Sequence, residues 1–254
     1  MKVVHIGCGA VGLVTAQHCI KSDIIDEYVL ADIATQKAEE LVKKLKAEGK
    51  ATVKKVEASD KKALNKLIKG ADLVINGAIP EFNANIMHAS AANGANYLDF
   101  AMGDDLDQFT LDKEFRDAGV GALISIGEDP GITDAMAVSA AKQLDEVDKI
   151  LVRDGDNASV EGYDYVALFS PDTLIDEVLC KPAIWRNGKI ERGEPFSAGR
   201  NTTSLHRSAS SRCICATMRS RCSCPGTSIR STATSRLPWT RSSSGSRRCC
   251  TSSD

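Results

Sequence analysis

The sequence predicts an α/β protein: a doubly wound parallel sheet, a further segment, and a disordered tail. Three observations lead there. Six short apolar runs alternate with helix-compatible segments over residues 1–126, the pattern of parallel strands joined by crossover helices. The first run, Lys2-Val3-Val4-His5-Ile6, leads straight into Gly7-Cys8-Gly9-Ala10-Val11-Gly12, a G-x-G-x-x-G at the end of a strand. Composition then breaks near residue 198: residues 1–198 carry 22 Lys+Arg against 33 Asp+Glu, whereas residues 199–254 carry 10 Arg and one Asp. The expected divisions are therefore 1–130, 131–198 and 199–254.

The first 32 residues set the chemistry. Ala10 to about Ile20 is helix-compatible, with apolar Val11, Val14 and Ala16 and no proline. The second run, Tyr28-Val29-Leu30-Ala31, ends in Asp32, 20 residues after Gly12. Strand, glycine turn, helix, strand and acid together make the dinucleotide-binding Rossmann pattern. Gly7 permits the tight turn, Gly9 carries no Cβ to block a diphosphate, and Gly12 lets helix and strand approach closely. The phosphates then meet the free N–H groups of the helix start, at Ala10 and Val11. Asp32 is placed to accept hydrogen bonds from the adenosine ribose. Its charge repels a 2′-phosphate and no Arg or Lys follows before Lys37, so NAD is favoured over NADP.

Gln36 to Glu48 reads as an amphipathic helix with Leu41, Val42 and Leu45 as its apolar stripe. Ala51 to Val56 is the third strand. Asp60, just beyond it, has two readings: an N-cap for the helix Lys61–Ile68, or a contact to the adenine edge. Ala71 to Ile75 is the fourth strand, and its loop, Asn76-Gly77-Ala78-Ile79-Pro80, would pass the nicotinamide ribose. A helix from Asn83 to Ala92 follows, stopped by Asn93-Gly94; its lone His88 is a packing or surface residue. Asn96 to Phe100 is the fifth strand, Leu106 to Ala118 a helix, and Val120 to Ile126 the sixth strand. In such a sheet the chemistry sits at the carboxyl ends of the strands, where Tyr97, Asp99 and Asp129 fall. Asp129-Pro130 reads both as N-cap and N1 of a helix running on to Leu144 and as a proton acceptor beside the nicotinamide.

Four stretches together, GCGAVG from residue 7, VLADI from 29, INGAIPEFNANIMHASAANGANYLDFA from 75 and GEDPGITDAMA from 127, resemble the saccharopine dehydrogenase-like oxidoreductases. That group contains saccharopine reductases, lysine 6-dehydrogenases and carboxynorspermidine synthases. Residues 155–197 resemble its α+β second domain, so the likeness covers about residues 1–198 and implies that residues 131–198 are the start of an incomplete α+β second domain. It implies hydride transfer between a nicotinamide and a carbon bonded to nitrogen, in an amino-acid-like or polyamine-like substrate. Carried over by position, Gly7, Gly9, Gly12, Asp32, Asn76 and Pro80 belong to the nucleotide site, and Tyr97 and Asp129 lie beside the reacting centre. Such an imine nitrogen must gain or lose a proton, a step suited to a carboxylate or phenol of tuned pKa. The resemblance also implies a homodimer. Against the enzyme stands a non-catalytic dinucleotide-binding protein, or the remnant of an enzyme.

Residues 201–254 hold 15 Ser, 9 Arg, 8 Thr and 6 Cys, a composition that cannot close a core. Cys213-Ile214-Cys215 and Cys222-Ser223-Cys224 have one-residue gaps and only His206 nearby, a poor zinc pattern, so no metal is expected. Few true Arg-Ser repeats occur, which argues against a nucleic-acid tail. An out-of-frame translation explains the tail better. Shifted to start at the third base of each codon, Ala198 to Ser204 permits Gly-Pro-Glu-His-Tyr-Glu, and two later stretches permit similar continuations. No signal peptide and no run of about 18 apolar residues appears, and only Cys8, Cys19 and Cys180 precede residue 199. A cytoplasmic location without membrane contact is the expectation.

Overall fold

In the computed structural model residues 1–101 and 108–147 are described continuously. Beyond them the description covers only short pieces, chiefly 160–163, 169–171 and the strand segments between 183 and 249. The chain separates into two units, residues 1–126 with 167–170, and residues 127–166 with 171–254.

The first unit is a six-stranded parallel sheet. Its strands are β1 (Lys2–Ile6), β2 (Glu27–Asp32), β3 (Ala51–Lys55), β4 (Leu73–Asn76), β5 (Asn96–Asp99) and β6 (Ala122–Leu123), in the order β3-β2-β1-β4-β5-β6. The chain starts in the middle, builds outward to β3, then crosses back to lay β4 on the other side of β1. That reversal between β1 and β4 opens a crevice at the carboxyl ends of both strands.

Side-chain alternation explains why the central strands read as unbroken apolar runs. Val4, Ile6, Val29, Ala31 and Val74 face one way, onto Leu64 and Ile68 of α3 (Lys61–Ile68), Ile86 and Met87 of α4 (Asn83–Ala92) and Phe115 of α5 (Asp112–Ala118). Val3, Tyr28, Leu30 and Ile75 face the other way, onto Ala16 of α1 (Ala10–Cys19) and Ala38, Leu41 and Val42 of α2 (Gln36–Leu45). Both faces are covered over the central strands, so positions on β1 and β2 are buried whichever way they point, while the edge strands β3 and β6 keep exposed positions. Leu64 and Ile68 are fully buried, and truncating either to alanine would cost roughly 2–5 kcal/mol.

Of the boundaries that differ from the sequence reading, three have a clear local reason. Helix α2 stops short of Glu48 because Lys46 turns left-handed, φ 52°, and Ala47 N–H donates back to the Val42 carbonyl. The helix expected from Leu106 begins as a 3-10 turn, Gln108–Leu111, before α5; residues 102–107 lie outside the described residues. Strand β6 is only two residues long, because Ser125 adopts φ +57° and donates its N–H to the Asp99 carboxylate.

In the second unit, α6 (Ile132–Ala141) follows a loop that closes on itself. Gly127 N–H donates to the Pro130 carbonyl and Ile132 N–H to the Gly127 carbonyl. Short antiparallel pairs follow: β7 (Ala183–Arg186) with β8 (Lys189–Arg192), β9 (Arg200–Thr203) with β10 (Ser210–Cys213), and β11 (Trp239–Arg241) with β12 (Arg247–Cys249). The remainder of the expected second domain and disordered tail lies outside the described residues. Among the described residues no helix is long and apolar enough to cross a membrane, and no group of His, Cys, Asp or Glu side chains is arranged to hold a metal.

Candidate functional site

The glycine turn between β1 and α1 is shaped by what it excludes. Gly7 has φ +95°, and a Cβ there would lie 2.3 Å from both the Gly77 carbonyl carbon and the Ala78 nitrogen. A Cβ on Gly12 would lie 2.0 Å from the Gly7 carbonyl oxygen. Both clashes are with backbone, so neither site relaxes around a side chain. Gly9 differs: a Cβ on it meets nothing within 4 Å. Its empty side is the exposed mouth of the turn, shared with exposed Ala10 and Val11. The first helical bond of α1 runs from Leu13 N–H to the Gly9 carbonyl, so the N–H groups of Ala10, Val11 and Gly12 have no partner within the helix. The first turn holds no acidic residue. A diphosphate fits this cradle sterically and electrostatically.

Asp32, the last residue of β2, stands beside that turn. Its carboxylate accepts from Cys8 N–H at 2.6 Å and from Ala34 N–H at 2.8 Å, which fixes it half-buried at the edge of the crevice. Burial, reinforced by the Asp32 charge, pushes the Cys8 thiol up to about 12. Cys8 is therefore a protonated packing residue, without thiolate chemistry.

Beneath the turn lies His5, which sequence reasoning passed over as part of an apolar strand. It is fully buried, with Nδ1 2.6 Å from the Tyr28 hydroxyl, and burial lowers its pKa to about 4. Its Nε2 has no partner among the described residues and lies 3.3 and 3.2 Å from where a Cβ on Gly12 or Gly77 would sit. A charged-capable residue inside a Val-rich strand was the available signal.

At the carboxyl ends of β4 and β5 five side chains close a hydrogen-bonded ring. Asn76 Nδ2 donates to the Tyr97 hydroxyl and to Asn83 Oδ1, both at 2.8 Å. Tyr97 donates to Asp99 Oδ2 at 2.9 Å, Gln108 Nε2 donates to the same oxygen at 2.6 Å, and Asn83 Nδ2 donates to Gln108 Oε1 at 3.2 Å. Every member is at most 2% exposed. Ser125 N–H caps the other Asp99 oxygen at 2.6 Å. Burial raises the pKa of Asp99, against the lowering effect of these donors, and holds the Tyr97 phenol well above its ordinary range. Asn76 Oδ1 also accepts from Ala78 N–H at 3.0 Å, which pins the loop running to Pro80. Asn83 and Gln108 are the members that sequence reasoning missed, because amides on helix starts carry no motif.

Asp60 is the N-cap of α3, accepting from Lys62 N–H at 2.9 Å and Ala63 N–H at 3.0 Å. Asp129 corrects the reading that made it a cap. The N-cap of α6 is Gly131, at φ +133°, where a Cβ would lie 2.3 Å from the Gly127 oxygen. The loop's closure puts Asp129 ahead of the helix, where its carboxylate accepts from the Thr133 hydroxyl at 2.8 Å.

Residues 3–123 match the family model of the saccharopine dehydrogenase NADP binding domain. This segment is thus similar to the nucleotide-binding domain of the saccharopine dehydrogenases. Carboxynorspermidine synthase of Vibrio cholerae is 31% identical over 215 residues, covering 76% of this chain and 52% of that protein. Carboxyaminopropylagmatine dehydrogenase of Synechocystis sp. is 29% identical over 216 residues, covering 81% and 54%. The chain thus spans about half the length of the curated relatives it matches. Among solved structures, apo saccharopine dehydrogenase (L-Glu forming) from Saccharomyces cerevisiae aligns with a TM-score of 0.60 at 20% identity, over 81% of this chain and 47% of that one. That likeness is one of fold. The saccharopine dehydrogenase-type domain is thus the part of the chain that carries the glycine turn, Asp32 and the buried ring.

Proposed function

We propose that the chain is a nicotinamide-dependent oxidoreductase acting at a carbon–nitrogen bond of an amino-acid-like or polyamine-like substrate. The observation that carries this is the open side of Gly9 above the unpaired helix N–H groups, with Asp32 fixed alongside, in a domain similar to that of the saccharopine dehydrogenases. Gly7, Gly9, Ala10, Val11 and Gly12 hold the diphosphate, and Asp32 grips the adenosine ribose. Asp60, exposed at the foot of α3, borders the adenine edge while serving as its cap. Asn76, Ala78 and Pro80 shape the loop on the nicotinamide side. The Asp32 carboxylate, which would repel a 2′-phosphate, favours NAD over NADP, against the cation that Lys55 brings beside it on β3.

When bound, the dinucleotide supplies the hydride donor or acceptor. The protein's part is to orient the substrate and to manage the proton on its nitrogen, for which Asp129 is the proposed partner. Tyr97 is better assigned a positioning role, since its hydroxyl is buried and committed to Asn76 and Asp99. The relatives' names, a carboxynorspermidine synthase and a carboxyaminopropylagmatine dehydrogenase, support a polyamine adduct as substrate. A cytoplasmic homodimer completes the reading.

Titration of the purified chain with NADH and NADPH, followed by nicotinamide fluorescence, tests the site. Saturable binding with NADH preferred is expected, followed by oxidation of NADH in the presence of an amine–carbonyl mixture. Absence of binding by either dinucleotide refutes the reading; binding without turnover leaves a non-catalytic dinucleotide-binding protein.

A further inference from the structure

Asp99 is a buried carboxylate whose charge no cation among the described residues cancels. The three groups that bond it, the Tyr97 hydroxyl, the Gln108 amide and the Ser125 N–H, are all neutral. No Lys, Arg or His lies against it among the described residues, and the sequence of residues 102–107 contains no cation. The hydrogen count of the ring requires an acceptor that donates nothing. Asn76 Nδ2 spends its two hydrogens on Tyr97 and Asn83, Tyr97 spends its one on Asp99, and Gln108 Nε2 spends its two on Asp99 and the Met87 sulfur. A proton on Oδ2 would face the Tyr97 and Gln108 hydrogens, and one on Oδ1, which takes the Ser125 N–H, would find no acceptor among the described residues. The ring therefore holds the ionised form, satisfied by dipoles but uncompensated, and a desolvated charge of that kind keeps a long-reaching field.

A neutral ring would lock the same loops without that electrostatic cost. Costly local features in folded proteins concentrate where function needs them. The position of this one is informative: Asp99 is the last residue of β5, on the far side of the β1/β4 reversal from Asp32. In a sheet of this order the glycine turn and the acid of the second strand take the adenosine half, and the other nucleotide falls to the carboxyl ends of β4 to β6. The two nicotinamide redox states differ by one positive charge on the ring.

We propose that Asp99 is a charge-setting residue that biases the site toward the oxidised, cationic nicotinamide ring. This rests on the dinucleotide reading of the site. Asp99 acts through its field, and the ring of amides and Tyr97 holds it ionised and in place.

The test is equilibrium binding of NAD+ and NADH, and of NADP+ and NADPH, to the intact wild-type chain and to two variants. Asp99→Asn removes the charge, and Gln108→Lys leaves it but sets a cation against it. A unit charge acting through protein over about 10 Å corresponds to roughly tenfold in an equilibrium constant. Each variant that folds, judged by circular dichroism, is expected to lose affinity for the oxidised form relative to the reduced form by about that factor. An unchanged ratio of the two dissociation constants in either folded variant overturns the proposal, including the case where both forms weaken together, as loss of a purely structural ring would produce. If the wild type binds neither form, the dinucleotide reading falls and this inference falls with it, an outcome distinct from binding with an unchanged ratio.

Discussion

Lowering the pH from 7 to 4 should destabilise the first unit through His5, and the size of the effect follows from its burial. In the folded chain His5 titrates at about 4 instead of 6.5, because its imidazole is fully desolvated. The unfolded chain takes up a proton as the pH falls through about 6.5, while the folded chain refuses it until about 4. Stability from this group is therefore complete above pH 6.5 and lost progressively as the pH falls to 4. At about 1.4 kcal/mol per pH unit the loss comes to roughly 3 kcal/mol. The assay is urea unfolding of wild type and His5→Gln at half-unit steps from pH 7.5 to 4, followed by far-ultraviolet circular dichroism. Glutamine cannot titrate and can still reach the Tyr28 hydroxyl. Carboxylates outside this contact cancel in the difference between the two proteins, so the wild-type stability should fall toward that of the variant by about 3 kcal/mol. Parallel curves, or an imidazole NMR titration of His5 with a midpoint near 6.5, would refute the assignment.

The glycine turn supplies a contrast between two neighbours. Gly9→Val should leave unfolding stability within about 1 kcal/mol while abolishing NADH binding, because its side chain would fill only the open mouth; Gly7→Ala should destabilise by several kcal/mol, on the order of other left-handed and backbone-clashing substitutions, read by thermal unfolding. Asp32→Ser should raise the affinity for NADPH relative to NADH by roughly tenfold, since one repelling charge is removed, and an unchanged ratio in fluorescence titrations would count against Asp32 as the discriminator. Asp60→Ala should lower stability by about 1 kcal/mol through loss of the α3 cap, measured by denaturant midpoint.

Much of this fold was legible because the chain is locally consistent. The central strands β1 and β2 are buried on both faces, so Val3 to Ile6 and Tyr28 to Ala31 appear as continuous runs bounded by glycine or acid. The glycine turn was legible for a related reason, since a backbone that must approach another backbone within bonding distance tolerates no Cβ, and Gly7 and Gly12 announce that at fixed spacing. What escaped notice depends on residues far apart in sequence. Asn76, Asn83, Tyr97, Asp99 and Gln108 meet only after β4 and β5 pair and the helices dock, and no local pattern marks amides that will face one another. Asp129-Pro130 misled for the opposite reason: the dipeptide is a good helix start, but Gly127 and Gly131 close a loop tight enough to move the cap two residues on.

The two halves of the crevice are mechanically one. Gly77 N–H donates to the Ile6 carbonyl at 2.7 Å, and only the missing Cβ of Gly7 lets Gly77 and Ala78 pack against the glycine turn. Ala78 is held in turn by Asn76, whose amide is a link in the ring around Asp99. The path from the glycine turn to the buried carboxylate is thus one backbone contact and three hydrogen bonds, through the buried side chains of Asn76, Tyr97 and Asp99. Close packing of this kind transmits displacement instead of absorbing it, so the spacing between the glycine turn and the β5 carboxylate is fixed before any ligand arrives. Preorganisation is what an electrostatic bias requires, because a charge free to move would relax around either redox state and discriminate between neither.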